Sequence, residues 1–67
     1  MNKFAERLKE LRVEKGLSQS ALAKATGFSQ AAIARREANL QIPNINVAIA
    51  FAIFFGVTTD YLLGLED

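Results

Sequence analysis

Gln30, Arg35 and Arg36 place one amide and two guanidinium groups within seven residues. On a helix that keeps Ile33 inward, with Ala34 or Glu37 beside it, the outward set is Gln30, Ala31, Ala32, Arg35 and Arg36. Glutamine can pair both of its polar atoms with adenine and arginine can do the same with guanine, while guanidinium groups also suit phosphates. Ala31 and Ala32 offer methyl groups, which can meet a thymine methyl and are equally good helix formers. Bond-making chemistry finds little support. The chain has no histidine and no cysteine, so the usual general base, the commonest metal ligand and any thiolate are missing. The carboxylates show no clustered ligand spacing. The expectation is a binding protein with no enzymatic activity, no cofactor, no metal and no evident small-molecule ligand.

These side chains need a short helix held outward, and residues 19 to 38 read as two helices around a glycine turn. Ser18 caps the first by accepting from the backbone N–H of Ser20 or Ala21. Leu22, Ala23, Ala25 and Thr26 give that helix an apolar side, and Gly27 ends it in a left-handed conformation. Phe28 is the only bulky apolar residue of the turn and is expected to plug the corner. Ser29 caps the second helix, Gln30 to Ala38.

Around this pair the chain supplies supports. Residues Lys3 to Lys15 predict a first helix with Phe4, Leu8 and Leu11 inward at i, i+4 and i+7. Much of its charge reads as an ordinary exposed face. Sixty-seven residues make one small domain, 1–67, burying about 60% of the unfolded chain's surface. Residues 1 to 15 lack the continuous apolar core of a secretory signal, so the expected location is cytoplasmic, with the nucleoid. The net charge is only +1, but it is divided: residues 1–36 hold all eight bases against three acids, and residues 37–67 hold four acids and no base. Such asymmetry points to nucleic acid.

LKELRVEKGLSQSALA at 8–23, the Gly27 turn, Ser29-Gln30, Ile33, Glu37, Pro43 and FFGVTTDYLLG at 54–64 occur in an order and spacing that resembles the Cro and lambdoid phage repressor family of helix-turn-helix proteins, the XRE-like group. The resemblance covers nearly the whole chain. It implies an all-α, compact five-helix bundle with a central helix-turn-helix, binding double-stranded DNA. It also implies base contacts from Gln30, Ala31 and Arg35. Gln19 would touch a phosphate and brace Gln30, and Arg12 would pair with Glu37, tying the first helix to the end of the recognition helix beside the phosphates. Ser18, Arg36 and Asn39 complete the expected phosphate set.

Two stretches depart from that pattern. Arg36 stands where the family usually has an aromatic or leucine, so either its stem covers the core edge while its charge reaches out or a phosphate contact has been added. The loop after Glu37 reads Ala38-Asn39-Leu40-Gln41-Ile42-Pro43; Asn39 can take the left-handed conformation of the usual glycine, but the family's phosphate-binding lysines or arginines are missing. Binding that is weaker and less salt-dependent follows.

Asn44 is expected to cap a fourth helix running to Phe55. At 100° per residue, Ile45, Ala48, Ile49, Ala52 and Phe55 share the expected core sector, and Asn46, Val47, Ala50, Ile53 and Phe54 fall opposite. A helix apolar all round is normally covered on both sides. It is too short for a bilayer, which needs about 20 residues, so no membrane is expected and a protein partner is. Thr58 caps the last helix, with Asp60 favourable to its dipole, Tyr61 and Leu62 closing the core, and Gly64 as the stop. The expected partner is a second copy, meeting through Val47, Ala50, Ile53, Phe54, Leu63 and Leu65. The functional expectation is a small bacterial or phage repressor bound as a dimer to an inverted repeat. The alternative is an interaction module on the same fold with weak or no DNA binding. The sequence is also compatible with the N-terminal domain of a longer repressor, or a redesigned one.

Overall fold

The computed structural model describes residues 3–41 and 43–66. The loop residue Ile42, named above, lies outside them. Among the described residues five helices follow in order: α1 (Phe4–Glu14), α2 (Gln19–Thr26), α3 (Gln30–Glu37), α4 (Ile45–Phe55) and α5 (Thr59–Leu63). No strand occurs among the described residues. The fold is all-helical, as expected.

Capping sets most of the boundaries. Ser18, Ser29, Asn44 and Thr58 each accept a hydrogen bond from the backbone N–H three residues on, at Ala21, Ala32, Val47 and Tyr61. Each satisfies one of the donors that a helix start leaves open. Gly27 closes α2 at φ +81°. Asn39 does the same after α3 at φ +62°. Around it the N–H of Asn39 donates to Arg36 O and that of Leu40 to Arg35 O, the paired pattern of a left-handed helix stop.

The core is a single cluster. Phe4, Leu8 and Leu11 from α1 meet Leu22 and Ala23 from α2, Ile33 from α3, Phe51 and Ala52 from α4, and Leu62 from α5. Phe51 is its hub: its ring lies 6.1 Å from that of Phe4 and 5.0 Å from that of Phe28. The corner residue Phe28 therefore joins the turn to α4.

In α4 the structure corrects the sequence reading. The buried residues are Ala48, Phe51 and Ala52, while Ile45 and Ile49, expected inside, are 62% and 41% exposed. The buried sector is turned by roughly 50° from the expected one. Because the helix is apolar on every side, its pattern does not dictate the rotation; burying the bulky Phe51 ring between two others does. The same turn moves Val47 and Phe54 partly onto the core, leaving Ile53 75% exposed. Among the described residues no helix is long and apolar enough to cross a membrane.

The chain's end is held against α1. One Arg7 nitrogen, Nη1, donates to Tyr61 O at 2.5 Å and to Glu66 O at 2.7 Å, and the guanidinium lies 4.2 Å from the centre of the Tyr61 ring. Lys3 N donates to Leu63 O. Gly64 has φ +85°, and a Cβ there would come within 2.9 Å of the Lys3 side chain, so glycine is needed for both conformation and space.

Candidate nucleic-acid interface

The recognition helix is fixed at its far end by a buried ion pair. Arg12 Nε donates to Glu37 Oε2 at 2.6 Å and Arg12 Nη2 to Oε1 at 3.0 Å, a two-point contact between a planar fork and a carboxylate. Arg12 Nη1 donates to Leu17 O at 2.8 Å. The two side chains are 12% and 4% exposed. Hydrogen bonding to Glu37 raises the Arg12 pKa, working against desolvation. All three Arg12 nitrogens thus have protein acceptors, which makes this residue a tie between α1 and α3.

Gln19 joins the same pair. Its Nε2 donates to Glu37 Oε1 at 3.2 Å, so the amide braces Glu37, where the sequence reading had it bracing Gln30. Helices α1, α2 and α3 are therefore locked together at one carboxylate.

The other flank of α3 presents Gln30, Ala31 and Arg35 to solvent. Ile33 is fully buried on the opposite side, and Ser29 caps the end nearest Gln30. Arg35 is not adrift: its Nε donates to Gln41 Oε1 at 3.3 Å. Gln41 carries no local pattern that would reveal this role, because the contact depends on how the chain doubles back after Asn39. Ser18 and Asn39 lie exposed at the two ends of the α2–α3 unit.

Arg36 is where structure and sequence part. The sequence places it facing solvent; its residue is only 8% exposed, and Nε and Nη1 are buried without a hydrogen-bond partner among the described residues. The guanidinium carbon lies 5.3 Å from the centre of the Phe28 ring. Desolvation lowers its pKa, and the charge of Arg35 adds to the effect. The physical reason is position: Arg36 stands three residues after Ile33, on the side of α3 that the core occupies. Its long side chain fills space that an apolar residue would otherwise take.

Two capped helices around a glycine turn, with a polar flank facing outward, define a helix-turn-helix domain. A match to the helix-turn-helix family covers residues 8–62, and the chain belongs to that family, in its XRE group, a class of DNA-binding domain found in transcription regulators. Among curated proteins, the HTH-type transcriptional activator BcrR of Enterococcus faecalis is 38% identical over 64 residues. That alignment takes in 96% of this chain and 31% of the relative, so the chain spans about a third of the relative's length.

Proposed function

We propose that this domain binds double-stranded DNA sequence-specifically as a homodimer on an inverted repeat, and so regulates transcription. The observation that carries the reading is the outward flank of α3, with Gln30, Ala31 and Arg35 in water while Ile33 and the Arg12–Glu37 tie hold the opposite flank. Gln30 and Arg35 supply direct base contacts, each worth about 1–3 kcal/mol of discrimination, and Ala31 meets a thymine methyl. Ser18, Gln19 and Asn39 position the duplex through its backbone.

The seam of the dimer runs along α4 and the chain's end. Of the residues expected there, Ala50, Ile53 and Leu65 are exposed, while Val47, Phe54 and Leu63 pack partly on the core. Ile45 and Ile49 take their place, which gives a stripe at i, i+4 and i+8 with Ile53. The proposed mode of action is repression, by occupying an operator and excluding polymerase. The name of the relative, an activator, applies to a protein about three times as long.

Selection of bound duplexes from a random pool tests the whole reading. The expected product is an inverted repeat with half-sites about 34 Å apart, one turn of the duplex. An unenriched pool, or binding that Arg35→Ala leaves unchanged, sinks it. The isoleucine stripe and the uncharged loop after Glu37 would then favour an interaction module on the same fold.

A further inference from the structure

Arg36 is a cation held in an unfavourable place. Among the described residues two of its N–H-bearing nitrogens are buried with no acceptor, the like charge of Arg35 acts on it, and the face of Phe28 is a favourable neighbour. A cation over an aromatic ring recovers part of the lost hydration. It does not satisfy the donors. Native proteins rarely leave buried donors unpaired, and where they do a missing ligand is one of the few explanations.

We infer that Arg36 is a stored phosphate contact: its guanidinium rests against Phe28 in the free protein and swings on its own stem to a backbone phosphate when α3 lies on a duplex. This deepens the reading of α3 as the DNA-facing helix and rests on it. The stem is long and flexible enough to keep its carbons on the core edge while the head moves to the surface. The chemistry of the missing acceptor follows from its neighbours. Arg35 and Arg36 are adjacent cations, and such a pair attracts the closely spaced charges of a polyanion more strongly than one carboxylate. A backbone phosphate is an anionic acceptor, and a guanidinium hydrogen-bonds it more strongly than it does a neutral group.

The consequence is a split between stability and binding that an ordinary core residue would not produce. Arg36→Met removes the charge and keeps the length of the stem, so the free protein is expected to melt about 5 °C higher or more. The same variant is expected to bind DNA more weakly, with the slope of log affinity against log salt smaller by about 0.9 per subunit. Arg36→Lys, which keeps the charge, is expected to retain the wild-type slope. Thermal melts without DNA, and salt titrations on one selected duplex, read all of these. A lower melting temperature in Arg36→Met makes the arginine a structural part and overturns the inference. An unchanged salt slope also overturns it while leaving the DNA-binding reading intact. A wild-type protein that binds no duplex overturns both.

Discussion

The Glu37 side chain is 4% exposed with Arg12 in place, and removing the guanidinium would leave its carboxylate beside the amide of Gln19. Breaking a buried pair in this way costs about 3–5 kcal/mol, far more than the 0–1 kcal/mol of an exposed pair. A chain of 67 residues has roughly 3–10 kcal/mol of stability in total. Urea unfolding of Arg12→Ala and of Glu37→Ala should therefore each show a loss of about 3 kcal/mol or more. The double variant should lose little beyond either single one, because the second truncation removes a group already left unpaired. Single losses below about 1 kcal/mol would remove the tie from the account of how α3 is held. The sign with pH follows from the raised pKa of Arg12. A cation whose pKa rises on folding adds stability that is complete below its unfolded value, so this contribution holds across neutral pH and fades only in strong alkali. Gln19→Ala removes one neutral partner of the same carboxylate, and a smaller loss of about 1 kcal/mol is expected.

At the scale of an element, α4 separates what pattern can dictate from what packing decides. Truncation to alanine tests its rotation directly. Phe51→Ala should cost about 3–5 kcal/mol, as for a filled aromatic site, whereas Ile53→Ala, measured at concentrations too low for the proposed dimer to form, should stay within about 0.5 kcal/mol because that side chain is 75% exposed in the single chain. A small loss at Phe51 together with large losses at Ile45 and Ile49 would return the helix to the orientation read from its sequence. That reading succeeded wherever one residue type has one local use: Ser18, Ser29, Asn44 and Thr58 as caps, Gly27 and Asn39 as stops, and Phe4, Leu8 and Leu11 as a stripe on a charged helix. It failed where no polar face marks the outside, as in α4, and where a long cation lies on a core-facing turn, as at Arg36. The Arg7 clamp on the chain's end and the Gln41 bond to Arg35 were illegible for another reason. Each joins segments whose approach depends on the assembled bundle, so no spacing within a helix announces it. The outward set of α3 was legible in part, with Gln30, Ala31 and Arg35 exposed and Arg36 withdrawn.

The charge of the whole molecule is divided along its sequence, with every base in the first 36 residues and none after them. On the proposed reading a duplex meets the basic portion, yet the loop beyond α3 carries no cation. Leu40 stands there 76% exposed, directly after the Asn39 stop that turns the chain. If α3 lies in the major groove as proposed, this loop faces the phosphate backbone, and a lysine at its tip would displace one more counterion per subunit. Leu40→Lys should then steepen the salt slope by about 0.9 per subunit and tighten binding at low salt. The selected sequences should not change, because a phosphate contact positions the protein without reading bases. Stability should move by less than about 0.5 kcal/mol, since the leucine is already in water. A fluorescence-anisotropy titration at several salt concentrations reads the slope, and a repeated selection reads the specificity. A steeper slope with altered specificity would mean that the loop reaches the groove itself. An unchanged slope would place the loop away from the backbone, and with it would go the orientation of α3 on which the proposed dimer spacing depends.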